Sequence, residues 1–253
     1  MDFQLRGRHA LITGASGNLG GAIATALAMQ GVSVSLLYGS ERSEASTKTL
    51  ADRLSCLDDV DACALFGDVT RDEGISQAVE QTLNRFGSLE IVVNNAGIFT
   101  TASHDQIDEH TWDRVFDINI KGMWRVNRYT FDALYESKGA VVQVCSINAF
   151  RPGFGHTVHY DASKGAVAAY TRSLAAEYAP YGIRVNGVAP GLLDAQILHE
   201  RAPDLVDRYE SRSALHRLVK PDEIASIVCF LASEASSAMV GEILVADCGY
   251  GMM

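Results

Sequence analysis

The most chemically suggestive stretch of the chain is Tyr160-Asp161-Ala162-Ser163-Lys164. Tyr160 and Lys164 are four residues apart, so on a helix they share one face. A free tyrosine has a pKa of about 10, which is too high for easy proton transfer at neutral pH. A nearby ammonium favours the phenolate and lowers that pKa. The spacing therefore predicts an acid/base pair in which Lys164 activates Tyr160.

The pair needs a scaffold, and the apolar pattern of the chain indicates which one. Short, nearly continuous apolar runs predict strands over residues 9–13, 32–38, 61–66, 89–93, 140–145, 183–188 and 242–246. The segments between them predict helices over residues 19–30, 42–56, 72–86, 108–136, 160–179 and 221–233. Strands of this kind, alternating with helices, are typical of an α/β fold. We expect a doubly wound, seven-stranded parallel sheet with helices on both faces.

Ligands of such a sheet bind outside the carboxyl ends of its strands, so the residues just after each strand matter most. The first strand is followed by Thr13-Gly14-Ala15-Ser16-Gly17-Asn18-Leu19-Gly20, which opens a helix. Glycines let the backbone approach a ligand closely, and a helix N-terminus offers free N–H groups and partial positive charge. The turn predicts a site for the pyrophosphate of a dinucleotide.

The end of the second strand bears on which dinucleotide binds. An acidic residue there would bind the ribose 2′-hydroxyl of NAD and repel the 2′-phosphate of NADP. The strand ends without one, and Tyr38 is followed by Gly39-Ser40-Glu41-Arg42. Ser40 can donate a hydrogen bond and Arg42 a charge-assisted one to a phosphate. The sequence favours NADP(H), with NAD(H) as the alternative because Glu41 opposes a phosphate.

Further residues form an ordered series along the chain, and several of them lie just after a predicted strand. They are Asp68-Val69, Asn94-Asn95-Ala96-Gly97, Asn119, Ser146, Pro190-Gly191, Pro221-Asp222-Glu223-Ile224-Ala225 and Val245-Ala246-Asp247. With the glycine-rich turn and the Tyr160–Lys164 pair, this series resembles the short-chain dehydrogenase/reductase family over essentially the whole chain. The resemblance implies one Rossmann-fold domain over residues 1–253. It also implies an NAD(P)-dependent oxidoreductase that interconverts a ketone or aldehyde and an alcohol.

The resemblance assigns four catalytic roles. Tyr160 would protonate the carbonyl oxygen in reduction or deprotonate the alcohol in oxidation, and Ser146 would stabilise charge on the same oxygen. Lys164 would lower the pKa of Tyr160 and hold the nicotinamide ribose. Asn119 would position a water that connects Lys164 to solvent. Hydride transfer itself would be the chemistry of the cofactor.

The resemblance also implies how the cofactor is held. Asp68 and Val69 would face the adenine, residues 95–97 would line the adenosine ribose, and the backbone from Pro190 to Leu193 would meet the carboxamide. The expected cofactor-binding residues are Gly14, Ser16, Asn18, Leu19, Gly20, Tyr38, Ser40, Arg42, Asp68, Val69, Asn95, Ala96, Gly97, Tyr160, Lys164, Pro190, Gly191 and Leu193.

Two departures from the family pattern affect the site. Asn18 stands where a glycine is usual, and asparagine is the next-best residue for a left-handed conformation. Its side chain is also in a position to reach a phosphate oxygen. The Ser146–Tyr160 spacing is one residue longer than the commonest spacing, which predicts a looped-out residue between Asn148 and His159.

The substrate is only loosely specified by the sequence. Residues 98–103, 147–159 and an excursion at about 192–215 are the expected substrate lining, and the excursion is an expected lid. A small carbonyl compound is favoured, such as a sugar, a polyol, or a cyclic or aromatic ketone. The alternatives are a 3-oxoacyl-[acyl-carrier-protein] reductase, a non-redox lyase or isomerase, and a cofactor-binding regulatory protein without turnover.

Composition narrows the partners. A formal net charge of -10 at pH 7 disfavours binding to nucleic acid or to an anionic membrane. The sequence contains no apolar run of the length that spans a bilayer. Its five cysteines form no C-x-x-C pair, which predicts neither a zinc site nor a disulfide framework and fits a reducing cytoplasm. The family resemblance implies a homotetramer, with a dimer as the alternative.

Overall fold

The seven strands expected from the sequence assemble into one parallel sheet in the computed structural model, which describes residues 3–252. The strands are β1 (His9–Thr13), β2 (Ser33–Tyr38), β3 (Ala62–Phe66), β4 (Ile91–Asn94), β5 (Ala140–Val144), β6 (Arg184–Pro190) and β7 (Ile243–Ala246). Their order across the sheet is β3-β2-β1-β4-β5-β6-β7. The order reverses between β1 and β4, which is where such sheets bind ligands. The predicted doubly wound α/β fold is confirmed, while Met1, Asp2 and Met253 lie outside the described residues.

Nine α-helices cover the sheet within residues 3–252. They are α1 (Asn18–Met29), α2 (Glu41–Leu54), α3 (Asp72–Phe86), α4 (Glu109–Phe116), α5 (Gly122–Ser137), α6 (Val158–Tyr178), α7 (Gln196–Arg201), α8 (Pro203–Arg212) and α9 (Pro221–Ala232). Helices α1, α2 and α9 contribute to the apolar core on one face. Helices α3, α5 and α6 contribute to the core on the other face. In the described range, no helix is both long enough and apolar enough to cross a bilayer.

The strands are apolar on both sides because each side of the sheet is covered by helices. Successive strand residues point to opposite faces, so Ile12 packs in one core and Leu11 in the other. Both side chains are fully buried. Each such burial stabilises the fold by about 1.5–3 kcal/mol. The sheet is therefore a rigid base for the residues that follow its strands.

The long helix predicted over residues 108–136 is wrong in one respect. A π-helical turn at Asp117–Lys121 separates α4 from α5, and its one buried residue is Asn119. Such turns add a residue to the helical ladder and occur frequently at functional sites. Apolar periodicity is too coarse to reveal one extra residue. Helix α6 also begins at Val158, two residues before the predicted start, so Tyr160 lies within its first turn.

The segment at 192–215 contains the two short helices α7 and α8. Tyr209 of α8 is fully buried, stacks on Tyr250 with ring centroids 4.6 Å apart, and lies 5.9 Å from the ring of Phe154. Its hydroxyl donates a 2.6 Å hydrogen bond to the carbonyl oxygen of Asp247. Helix α8 is thus packed onto the carboxyl end of the sheet.

Candidate active site

A cleft of about 450 Å³ lies at the carboxyl ends of β1, β4, β5 and β6. It brings together residues from four separate parts of the chain, as the strand order requires. The predicted site residues that line it are Gly14, Ser16, Asn18, Leu19, Gly20, Asn95, Ala96, Gly97, Ser146, Tyr160, Lys164, Pro190, Gly191 and Leu193. The predicted residues that do not line it are Tyr38, Ser40, Arg42, Asp68, Val69 and Asn119.

Tyr160, Ser146 and Lys164 form the polar centre of this cleft. Ser146 lies two residues after the end of β5, and its side chain hydrogen-bonds with that of Tyr160. Nζ of Lys164 lies 5.8 Å from the centre of the Tyr160 ring and donates a 3.0 Å hydrogen bond to the carbonyl oxygen of Val144. Strand β5 therefore positions the serine and also orients the lysine.

We expected Lys164 to lower the pKa of Tyr160, but in the structure this pKa is raised. Burial raises the pKa of Tyr160 to about 12, although the hydrogen bond with Ser146 acts in the opposite direction. Burial also lowers the pKa of Lys164 to about 8. The cause is that burial destabilises the phenolate by more than the hydrogen bond with Ser146 stabilises it. At neutral pH the tyrosine is protonated and the lysine is cationic.

Asn119 is held by three hydrogen bonds beside this centre. Its Oδ1 accepts a 2.8 Å bond from the backbone N–H of Ile98. Its Nδ2 donates to the carbonyl oxygen of Ile98 at 3.1 Å and to Oγ of Ser163 at 3.0 Å. A Cβ on Gly97 would lie 3.3 Å from Oδ1 of Asn119 and 3.8 Å from Nζ of Lys164. Asn119 therefore borders the lysine while its amide ties the β4 loop to α6.

The glycine-rich turn forms another part of the lining. Helix α1 begins at Asn18, and Gly17 before it offers no side-chain cap, so the first N–H groups of the helix face the cleft without an intrahelical partner. A Cβ on Gly20 would lie 2.3 Å from the carbonyl oxygen of Gly14, so glycine is required there. A turn packed this closely, with free N–H groups, fits the pyrophosphate of a dinucleotide.

The left-handed conformation expected for Asn18 is wrong, while its contact with a phosphate oxygen stays a prediction. Asn18 is the first residue of α1 and is absent from the left-handed residues of the described chain. The left-handed residue of the turn is Gly14, with φ of 64°. The side chain of Asn18 donates a 3.0 Å hydrogen bond to the carbonyl oxygen of Asp194. It therefore connects the turn to the segment before α7.

Asn95 connects the ends of β1 and β4. Its Nδ2 donates to the carbonyl oxygens of Thr13 and Gly14 at 3.0 and 3.1 Å, and its N–H donates to Oγ1 of Thr13. Asn94 is buried, and its Nδ2 donates a 2.8 Å hydrogen bond to Oδ1 of Asn127 in α5.

The remaining predicted cofactor residues lie beyond the cleft, at the ends of β2 and β3. Asp68 follows β3, and its Cα lies 3.7 Å from where a Cβ on Gly39 would be. The pKa of Tyr38 is raised by burial and by the carboxylate of Glu44. Oγ of Ser40 lies 3.0 Å from Oγ of Ser43, and Arg42 is exposed in the first turn of α2. Their contacts with an adenosine group stay a prediction.

Five more residues line the cleft besides the predicted catalytic and cofactor-binding residues. Ile98 and Phe99 belong to the expected substrate lining and Gly17 to the glycine-rich turn, whereas Val144 and Cys145 were not predicted. Phe99 packs edge-on against Tyr160, with ring centroids 4.9 Å apart. Val144 contributes a carbonyl oxygen, which its side-chain type does not reveal. Residues 3–252 contain no cluster of three or more His, Cys, Asp or Glu side chains suited to a metal ion.

Known proteins resemble the chain over nearly its full length. A family model described as enoyl-(acyl carrier protein) reductase matches residues 14–251. The chain is 34% identical to cis-4-hydroxycyclohexanecarboxylate dehydrogenase of Sinomonas cyclohexanicum, over 96% of each protein. It is 30% identical to a 3-oxoacyl-[acyl-carrier-protein] reductase of Aquifex aeolicus, over 96% of this chain and 97% of that protein.

Solved structures match as well. A short-chain type dehydrogenase/reductase from Mycobacterium marinum has a TM-score of 0.92 at 29% identity, over 99% of this chain and 98% of that one. A blue fluorescent protein from a metagenomic library, in complex with NADPH, has a TM-score of 0.90 at 29% identity, over 98% of this chain and 99% of that one. The likeness therefore covers the cleft as well as the sheet.

Proposed function

Because the chain belongs to the short-chain dehydrogenase/reductase family, it is an NAD(P)-dependent oxidoreductase of CH–OH and C=O groups, and we propose that Tyr160 is its acid/base. The reaction is the interconversion of a small ketone or aldehyde and its alcohol. One observation carries the proposal: Tyr160, Ser146 and Lys164 meet in the cleft that the glycine-rich turn also lines.

The residues at this centre have complementary tasks. The hydroxyl of Tyr160 is protonated at neutral pH, because burial raises its pKa to about 12, so it donates a proton to the carbonyl oxygen during reduction. Ser146 donates a hydrogen bond to the same oxygen and stabilises the charge that develops there. The ammonium of Lys164 stabilises the phenolate left on Tyr160. In oxidation the same groups act in reverse.

The cofactor is proposed to be NADP(H), with NAD(H) as the alternative. When bound, it would supply or accept the hydride. Residues 14–20 would hold the pyrophosphate at the N-terminus of α1, while Asp68, Val69 and residues 95–97 would border the adenosine half. Ser40 and Arg42 would bind the 2′-phosphate, and Pro190, Gly191 and Leu193 would border the carboxamide. Asn119 holds a water that connects Lys164 to solvent.

The substrate is proposed to be a small carbonyl compound, with a cyclic ketone as the first candidate. The relative that acts on a hydroxycyclohexanecarboxylate supports a cyclic alcohol, and Phe99 gives the cleft an apolar wall beside Tyr160. A 3-oxoacyl-[acyl-carrier-protein] reductase is the alternative, supported by the relative with that name. The net charge of -10 disfavours it, since an acidic carrier protein would meet an acidic surface.

Two further features complete the proposal. Residues 192–215 act as a lid that excludes water from the cleft, and Asn18 anchors its first part through Asp194.

The chain functions in the cytoplasm as a homotetramer, with a dimer as the alternative. A mass of one 27.3 kDa chain in analytical ultracentrifugation would contradict both assemblies.

The test is turnover by the full chain with NADPH and a panel of small cyclic and linear ketones. Loss of nicotinamide absorbance is expected for the wild type. Tyr160→Phe is expected to reduce kcat by roughly 10²- to 10⁴-fold, the usual contribution of a positioned proton donor, with unchanged NADPH binding. Tyr181→Phe is the matched control, because Tyr181 is 48% exposed and outside the cleft. Activity that survives Tyr160→Phe would refute the mechanism, and NADPH binding without any turnover would favour a regulatory protein.

A further inference from the structure

We propose that His159 and Asp161, which flank Tyr160 in the chain, are positioning residues that hold two substrate-facing segments around the tyrosine. The segments are residues 98–103, which follow β4, and residues 147–157, which follow β5. The inference rests on the proposed function, because it concerns where a carbonyl substrate meets Tyr160. The contacts that carry it are independent of turnover.

His159 holds the segment at 98–103. The side chain of His159 is fully buried, and its Nε2 lies 2.6 Å from Oγ1 of Thr100. Its Nδ1 has no hydrogen-bond partner among the residues that the structure describes. The hydrogen bond with Thr100 is therefore the one that the ring makes within this part of the chain. Phe99, the neighbour of Thr100, packs against the ring of Tyr160. The histidine therefore fixes the aromatic wall beside the catalytic hydroxyl.

Asp161 holds the segment at 147–157. Its carboxylate accepts hydrogen bonds from Nδ2 of Asn148 at 2.6 Å, from the N–H of Gly153 at 2.9 Å and from Oγ1 of Thr157 at 3.1 Å. Hydrogen bonds to an ionised acceptor are stronger than neutral ones. The N–H of Asn148 in turn donates to Oγ of Ser146 at 3.2 Å. Asn148 thus connects Asp161, which its side chain contacts, with the hydroxyl of Ser146, which its backbone N–H contacts.

The loop that Asp161 holds is tightly folded. A Cβ on Gly153 would lie 2.5 Å from both Nδ2 of Asn148 and Oγ1 of Thr157. Two of the donors to Asp161 therefore pack against Gly153 and leave no room for a side chain there. His156 has φ of 57°, a left-handed conformation unfavourable for a non-glycine residue. Such a conformation persists only where its surroundings enforce it.

The two held segments also contact each other. The N–H of Ala102 donates a 2.9 Å hydrogen bond to the carbonyl oxygen of His156. Consecutive residues of an α-helix point about 100° apart, so one turn of α6 directs Tyr160 into the cleft and its two neighbours into the two walls. The walls and the catalytic hydroxyl therefore keep one relative geometry. A change at either flanking residue alters substrate fit more than proton transfer.

Hydrogen–deuterium exchange of the full chain without ligand tests the two contacts separately. Thr100→Val, which removes the hydroxyl but keeps the shape, is expected to speed exchange about tenfold in peptides covering 98–103. Asp161→Asn is expected to do the same in peptides covering 148–157. Thr100→Ser keeps the hydroxyl and is expected to exchange like the wild type. Peptides covering β5 serve as the reference for an intact fold.

Unchanged exchange in both variants, or equal acceleration in both segments and in β5, would overturn the proposal. If Asp161→Asn does not fold, Thr157→Val removes one of its three donors and is expected to accelerate residues 148–157 alone. On a ketone that the wild type reduces, Thr100→Val is expected to raise KM severalfold with kcat within about twofold; the reverse pattern would contradict a positioning role. Absence of turnover on any ketone would refute the proposed function while leaving the exchange result to decide this inference.

Discussion

Nζ of Lys164 lies 5.8 Å from the centre of the Tyr160 ring, and burial moves the pKa values of the two groups in opposite directions. It raises that of Tyr160 to about 12 and lowers that of Lys164 to about 8. The two values leave a wide range of pH in which the tyrosine keeps its proton. Over the lower part of that range the lysine is also charged, which is the state that the proposed reduction uses.

The first prediction concerns the pH dependence of ketone reduction. We expect kcat/KM to be level on the acid side of pH 8 and to fall above it, because Lys164 loses its proton through a pKa of about 8. Tyr160 remains protonated up to about pH 12 and does not limit this range. The profile is measured by nicotinamide absorbance. Lys164→Arg stays cationic, so the fall near pH 8 should disappear; a fall at the same pH would contradict the assignment.

The second prediction concerns stability. The pKa of Lys164 is about 8 in the fold and 10.5 when unperturbed, so between these values the unfolded chain binds more protons and stability rises with pH. At lower pH the buried charge costs stability. Lys164→Met removes that charge and is expected to stabilise the fold at pH 7 by about 1–3 kcal/mol. Urea unfolding should show this advantage shrinking by pH 10, and a less stable variant at pH 7 would disprove it.

The third prediction contrasts two glycines of one turn. Gly20→Ala is expected to lower the melting temperature and abolish NADPH binding, because a Cβ there would lie 2.3 Å from the carbonyl oxygen of Gly14 and 2.9 Å from Cα of Ala15. Those are backbone atoms and cannot move without opening the turn. Gly17→Ala is the matched control, since its Cβ would lie 3.5 Å from that oxygen, an ordinary contact. Differential scanning calorimetry compares them, and equal melting temperatures would contradict the packing argument.

The fold was predictable because side-chain hydrophobicity reports burial directly. Strand β1 occupies the predicted residues 9–13 and is apolar on both faces because helices cover both. Strand β4 begins at Ile91 although the prediction began at residue 89, because Leu89 is buried without being part of the strand. At the end of an element, a residue can thus be buried without being paired in the sheet. The apolar pattern reports burial alone and does not show where pairing begins.

The sequence could predict those parts of the site that side chains form. Ser146, Tyr160 and Lys164 share one cleft as their spacing predicted. The direction of the Tyr160 pKa was not predictable, because it depends on how deeply the phenol is buried. Contacts made by backbone carbonyl oxygens, such as that of Val144 with Lys164, were also not predictable. Every residue type has the same carbonyl group, so the sequence does not reveal which carbonyl makes a contact.

The fourth prediction concerns the choice between NADPH and NADH. Arg42→Ala is expected to weaken NADPH binding roughly tenfold, the usual effect of losing one charge-assisted hydrogen bond, and to change NADH binding by less than about twofold. Arg42 is exposed in the first turn of α2, beside Ser40 at the end of β2. The proposed contact of its guanidinium with a 2′-phosphate would be missing with NADH, which lacks that group.

Fluorescence titration of both cofactors measures this difference in the full chain. Arg71→Ala is the matched control, because Arg71 is an exposed arginine just before helix α3, and its Nε lies 3.7 Å from Oδ2 of Asp68. Its loss should alter the binding of the two cofactors equally. Glu41→Ala removes the carboxylate that opposes a phosphate and should strengthen NADPH binding alone. If Arg42→Ala weakens both cofactors to the same degree, Arg42 does not bind a 2′-phosphate and the preference for NADP(H) loses its main support.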